Sequence, residues 1–134
     1  MDLYNMRKEI TNGKSIYDLP LKVTYYARVS SEKDEQLNSL SNQVFYFENH
    51  IKEVSNWTYV DGYVDEGISG TSVNKRDSFK RMIADSKKGK FDLILTKEVT
   101  RFARNTLDSI SYTQKLLDND VGVYFQSDNI NTIM

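Results

Sequence analysis

The sequence predicts an α/β domain: a mainly parallel β-sheet flanked by helices in a three-layer arrangement. Two observations predict it. Short runs rich in β-branched and aromatic residues alternate with stretches whose apolar residues recur every three or four positions. The connections between these runs are short, as strand–helix alternation on a parallel sheet requires. The chain has 134 residues, enough for one domain of ordinary size.

Residues 1–20 carry mixed charge, an Asn-Gly pair at 12–13 and the only proline, Pro20; they read as a loosely ordered extension. The domain proper is expected over 21–134, with no internal repeat and no low-complexity tract. Leu21 to Val29 reads as the first strand, and Ser31 to Glu35 offers capping residues. Leu37, Leu40, Val44, Phe47, Ile51 and Val54 then mark a long amphipathic helix. Trp57 to Val64 reads as a second strand. The stretch DEGISGTSVNKRD, from Asp65, has two glycines and few apolar residues and reads as a mobile surface loop. A helix is expected over Ser78 to Lys88, with Phe79, Met82 and Ile83 on its inner face. Phe91 to Thr96 reads as a buried strand. Thr106 to Leu117 reads as a helix with apolar Leu107, Ile110, Leu116 and Leu117, and Val121 to Gln126 as a last strand.

Composition narrows the functional classes. Hydrophobic residues make up 39% and charged residues 28%, which suits a cored globular domain rather than a disordered one. There is no cysteine and one histidine, so disulfides, thiolate metal sites and His-based zinc sites are not expected. No apolar run approaches the ~20 residues that span a bilayer, and there is no signal-peptide pattern, so the expected location is cytoplasmic. Net charge is −1, but it is unevenly spread: Lys75 to Arg104 holds ten Lys/Arg against four Asp/Glu, and the remainder eight against fifteen. A basic segment in a neutral chain is either a nucleic-acid footprint or a solvated helix face.

In a parallel sheet, sites gather beyond the carboxyl ends of the strands. The first strand ends in YYARVSS, where Arg28 and Ser30, two apart, point to one side. The second ends near Asp65. The third runs into TKEVTRFARN, where Arg101 and Arg104, three apart, are expected to share one face of a helical turn. Arginine presents a permanently charged planar fork that pairs bidentately with phosphate. Three arginines converging on Ser30 could bind a phosphodiester and stabilise the charge that develops during attack on phosphorus. His50 falls in the middle of the long helix and reads as a surface residue, not as a base for Ser30. No carboxylate cluster suggests paired metal ions. The chemistry that fits is metal-free phosphoryl transfer with no cofactor. Taken singly, each feature has an ordinary structural reading: a strand-end serine as a cap, the arginines as surface residues, the aromatics as core.

Taken together, YARVSS, then DEGISGTSVNKR, then DLILTKEVTRFARNTLD resemble the serine recombinase family, the resolvase/invertase catalytic domain. The long second motif is most similar to the large serine recombinases, which include phage integrases and transposon excision enzymes. The resemblance covers about Lys22 to Met134. It implies that Ser30 is the nucleophile, forming a 5′-phosphoserine link to DNA and releasing a 3′-hydroxyl, with resealing independent of ATP. It assigns Arg28, Arg101 and Arg104 to the scissile phosphate, and Gln43, Asp65 and Arg76 to substrate binding around it. Tyr26 matches the aromatic of the first motif, with a structural role. The implied partners are a double-stranded DNA recombination site and further copies of the protein: dimers that pair into a synaptic tetramer. No metal, cofactor or membrane is implied.

The match departs from the smaller resolvases at Thr100, where they carry an aspartate, and at Glu98, where a basic or small residue is common. A hydroxyl at Thr100 agrees with the large subgroup. The family's long dimerisation helix and DNA-binding domains are not in the sequence, so a catalytic-domain fragment of a longer protein is expected. Two other readings fit the same residues. One is a non-catalytic α/β module binding an anion or nucleotide through Ser30, although neither G-x-G-x-x-G nor G-x-x-x-x-G-K occurs. The other is a receiver-like signalling domain, which would need acidic residues where the chain has Arg28 and Ser30.

Overall fold

A computed structural model describes residues 1–29, 34–66, 76–103 and 105–134, with the side chains of 29, 34–39, 66, 100 and 101 left undescribed. The long central strand is β1 (Lys22–Val29). It is followed by α2 (Asp34–Glu53), β2 (Thr58–Tyr59), β3 (Tyr63–Glu66), α3 (Asp77–Ser86) and β4 (Leu93–Thr96). Then come the short α4 (Val99–Phe102), α5 (Thr106–Asp118), β5 (Gly122–Phe125) and β6 (Ile130–Asn131). A helix α1 (Leu3–Thr11) and a 3₁₀ turn, Ile16–Asp18, precede them.

The sheet order is β2-β1-β4-β5-β6, with β3 also paired to β1. Every pairing is parallel except the terminal β5–β6 hairpin. The expected second strand is thus two strands on β1. The register slips by one residue between them, for Lys22 pairs with Thr58 but Tyr26 with Tyr63. The break lies at Gly62, where the Tyr25 ring occupies the space a Cβ would need. The Thr24 hydroxyl donates to the Asp61 carbonyl at 2.9 Å and satisfies backbone that the ladder leaves unpaired.

Alternation along the strands divides the core. Val23, Tyr25 and Ala27 of β1 pack with Leu40, Phe47 and Ile51 of α2 on one face. Tyr26 packs on the other face with Phe79 and Met82 of α3, Phe102 of α4 and Leu116 of α5. β4 is buried throughout, as a central parallel strand should be. The three-layer, mainly parallel α/β expectation therefore holds.

Two expectations need correction. Residues 1–20 are not loosely ordered. Asp2 caps α1, Asn12 ends it, and Gly13 turns the chain at φ +103°. Met6, Ile16 and Leu19 are buried in the α2-side core, and Arg7 donates to the Ile133 carbonyl at 2.9 Å. The 3₁₀ turn is capped by Ser15 and receives the Trp57 indole N–H at its Ile16 carbonyl, 2.9 Å away. A short helix among charged residues hides its one fully buried side chain, Met6, from any count of periodicity. On α5, Tyr112 and Leu116 make the inward contacts, one turn apart, while Leu107 and Ile110 are 76% and 60% exposed. Among the described residues no helix is long and apolar enough to cross a membrane.

If α1 is part of the core, Met6→Ala should lower the unfolding free energy by about 2–4 kcal/mol. Tyr4→Ala, at a side chain 73% exposed on the same helix, should change it by less than about 0.5 kcal/mol. Urea denaturation of the two variants checks this; equal, small effects would mean that α1 does not hold the core.

Candidate active site

β1 sends its crossover through α2 on one face of the sheet, toward β2 and β3. β4 sends its crossover through α5 on the other face, toward β5. Connections of one hand travelling in opposite directions take opposite faces. Between them, beyond the carboxyl ends of β1 and β4, lies the switch point at which open α/β sheets form a crevice. Arg28 stands at the end of β1, and Thr96 leads from β4 toward α4. The first and third sequence motifs therefore flank this crevice.

Beneath it lies a buried polar cluster. Arg28 and Asp65 are register partners in the β1–β3 ladder, and Tyr26 is one pleat below Arg28 on the same face. The Tyr26 hydroxyl donates to Asp65 Oδ2 at 2.8 Å and accepts from Arg76 Nε at 3.1 Å. Asp65 also accepts the backbone N–H groups of Ser78 and Phe79, both at 3.0 Å. It thus caps α3 from a neighbouring strand, in place of a cap side chain on the helix itself. Arg76 is 1% exposed and lies 3.9 Å over the Phe79 ring. Its Nη2 donates to the Phe102 carbonyl at 2.7 Å. Burial pushes the Tyr26 hydroxyl well above its ordinary range, with Arg76 acting in the opposite direction. The phenol therefore stays protonated, as donation to Asp65 requires.

The short helix α4 holds Arg101 in its backbone and has supports at both ends. At its start, the Val99 N–H donates to Asp128 Oδ2 at 3.0 Å, from the β5–β6 turn. At its end, Phe102 offers its carbonyl to Arg76. The Phe102 ring is anchored by edge contacts with Phe79, Tyr26 and Phe125. The chain turns extended at Ala103, φ −146° and ψ 153°. α4 therefore ends at Phe102, and the expected sharing of a helical face by Arg101 and Arg104 concerns side chains outside the described residues.

The predicted residues fall into three groups. Asp65 and Arg76 come together through Tyr26 on the α3 side of the sheet, and Arg28 is the register partner of Asp65. Gln43 is half-buried on α2, between Leu40 and Phe47 in the helix sequence, and belongs to the opposite layer. Ser30, Arg104, the Arg101 side chain and the greater part of the predicted loop lie outside the described residues. Asp65 and Arg76, assigned to substrate binding by resemblance, are 5% and 1% exposed, and their bonds tie protein segments together. His50 is half-buried between Tyr17, Tyr46 and Trp57 rather than on an open helix face. Asp128 escaped sequence reasoning, because nothing in Ser127-Asp128-Asn129 marks it as the cap of a helix 29 residues earlier. Among the described residues no group of three or more His, Asp or Glu side chains is placed to hold a metal ion.

Residues 23–133 match the family described as Resolvase, N terminal domain. The chain belongs to the resolvase family. Solved serine recombinases share its fold. A resolvase family site-specific recombinase from Streptococcus pneumoniae is 32% identical, with a TM-score of 0.71, over 84% of this chain and 76% of that one. The N-terminal catalytic domain of TP901-1 integrase is 26% identical, with a TM-score of 0.60, over 84% and 82%. The C-terminal catalytic domain of ISC1926 TnpA, an IS607-like serine recombinase, is 21% identical with a TM-score of 0.65, over 78% and 69%; that likeness is one of fold. No curated protein sequence matches. As a resolvase-family domain, the chain is a catalytic domain of the serine site-specific recombinase type.

The polar cluster of this domain should be a strong stability determinant. Asp65→Asn removes the carboxylate that accepts from the Tyr26 hydroxyl and from two α3 amides inside the core, so a loss of about 3 kcal/mol is expected. Asp77→Asn removes an exposed first-turn carboxylate from the same helix and should cost under about 1 kcal/mol. Chemical unfolding of both variants tests the difference.

Proposed function

We propose that Ser30 is the nucleophile of a site-specific DNA recombinase, and that Arg28, Arg101 and Arg104 hold the scissile phosphate. The observation that carries this reading is the meeting of the first and third motifs at the switch point. Arg28 ends one central strand, and the adjacent strand leads directly into the helix containing Arg101. Ser30 is the next residue in sequence after the end of β1. Gln43 approaches from the α2 layer and is assigned to the substrate's surroundings.

In the proposed step, Ser30 Oγ forms a bond to phosphorus and loses its proton. The bond from phosphorus to the 3′ oxygen breaks, and that oxygen leaves as a hydroxyl after taking up a proton. The products are a 5′-phosphoserine and a free 3′-hydroxyl. The phosphodiester's free energy is kept in the protein–DNA link, so the reverse attack reseals a strand without ATP. Guanidiniums stay charged through every step and supply fixed positive charge to the phosphorane-like transition state. Double-stranded DNA is the substrate, and strand exchange requires further copies of the protein, paired as dimers and then as a synaptic tetramer. The nucleotide-module and receiver readings draw on no feature of the crevice.

Incubation of the protein with a nicked or suicide DNA substrate in EDTA should yield a covalent protein–DNA adduct, resolved by denaturing electrophoresis. Ser30→Ala should abolish it, and Arg101→Ala and Arg104→Ala should each reduce it at least a hundredfold, with the fold intact by circular dichroism. An adduct that persists in Ser30→Ala would overturn the assignment of the nucleophile.

A further inference from the structure

A helix of four residues cannot hold itself together. Its nucleation is unfavourable, and its terminal N–H and C=O groups have no intrahelical partners. α4 is such a helix, and the structure supplies what it lacks from two distant elements. Asp128 takes the Val99 N–H at the start, and Arg76 takes up the Phe102 carbonyl at the end. Each support is itself held. Asp128 lies in the turn whose Gln126 and Ser127 N–H groups bond the Thr96 and Lys97 carbonyls at 3.0 and 2.8 Å. Arg76 is bonded through Tyr26 to Asp65.

We propose that Asp128 and the Arg76–Tyr26 pair are positioning residues for the reaction: together they clamp α4 at both ends and thereby set where Arg101 meets the scissile phosphate. The inference rests on the reading of Arg101 as a phosphate ligand. Two features exclude direct contact as the explanation. Asp128 is anionic and would repel a phosphodiester. Arg76 is 1% exposed, its Nε and Nη2 committed to a phenol and a carbonyl. Tyr26, at 0% exposure, has no path to substrate at all. The geometry also explains why an arginine is used at 76. A lysine has one compact ammonium and cannot reach the Tyr26 oxygen and the Phe102 carbonyl as a planar fork does.

A displacement of about 1 Å at a reacting centre can cost on the order of a hundredfold in rate. The test therefore separates rate from affinity. Asp128→Ala, Asp128→Asn, Tyr26→Phe and Arg76→Lys are compared with the wild-type protein on the suicide substrate. Single-turnover adduct formation is measured at saturating DNA, together with the dissociation constant across a salt series. Asp128→Ala, Tyr26→Phe and Arg76→Lys should each slow adduct formation tenfold or more, with affinity and salt slope unchanged. Asp128→Asn keeps an acceptor oxygen for Val99 and should stay within threefold of wild type. Amide hydrogen exchange of residues 99–103, read on the protein without DNA, should quicken in the three slowed variants and not in Asp128→Asn. Unchanged rates in Asp128→Ala and Tyr26→Phe would overturn the proposal. So would Arg76→Lys weakening DNA binding and lowering the salt slope by about one, the mark of a lost phosphate contact. Absence of any adduct from wild-type protein would instead strike at the recombinase reading, while the exchange data would still judge the clamp.

Discussion

Taking the Arg76 guanidinium out of water costs several kcal/mol unless its charge and its donors are met inside the protein. That requirement organises the α3 side of the molecule. The compensating carboxylate, Asp65, is reached through the Tyr26 hydroxyl, so cation, phenol and carboxylate form one chain of hydrogen bonds. Asp65 must in turn be saturated, and the first free amides of α3 do so. Arg76 Nη2 goes to the last carbonyl of α4. One buried charge thus joins β1, β3, α3 and α4. Such a network, once complete, is stiff, and removing any member orphans the others.

The β1–β3 register decides how this network meets the crevice. Tyr26 pairs with Tyr63 and Arg28 with Asp65, so the phenol lies one pleat beneath the register pair at the strand ends. A slip of one residue would turn Tyr26 and Arg28 to the α2 face together. Gly62 sets that register, for its missing side chain admits the Tyr25 ring, which stacks on Phe47 of α2 at 5.2 Å. The core on one face therefore sets the register that places the cation on the other.

The layered architecture was legible in the sequence, because the strands around Tyr25, Leu95 and Val123 and the helix through Phe47 and Ile51 carry strong periodic signals. The motifs themselves were also legible, as residue types whose order fits phosphate chemistry at strand ends. What stayed hidden depends on contacts distant in sequence. The Asp128–Val99 bond spans 29 residues and the Arg76–Phe102 bond 26, and neither leaves a local pattern. α1 stayed hidden for a related reason: its stability comes from docking Met6 into a core completed by Ile133, at the other end of the chain. Burial reverses the first impression of Asp65 and Arg76. Sequence shows two charged residues flanking a polar loop; only packing shows that both are 5% exposed or less.

The short helix α4 shows where local rules stop. Residues three apart share a face only while the helix continues, and α4 ends at Phe102 because the next residue is extended. A longer helix would satisfy its own carbonyls and would need neither Asp128 nor Arg76. Ending it after four residues leaves the Phe102 carbonyl open to a buried guanidinium. The irregularity that cuts the helix short is thus what ties it to the buried charge.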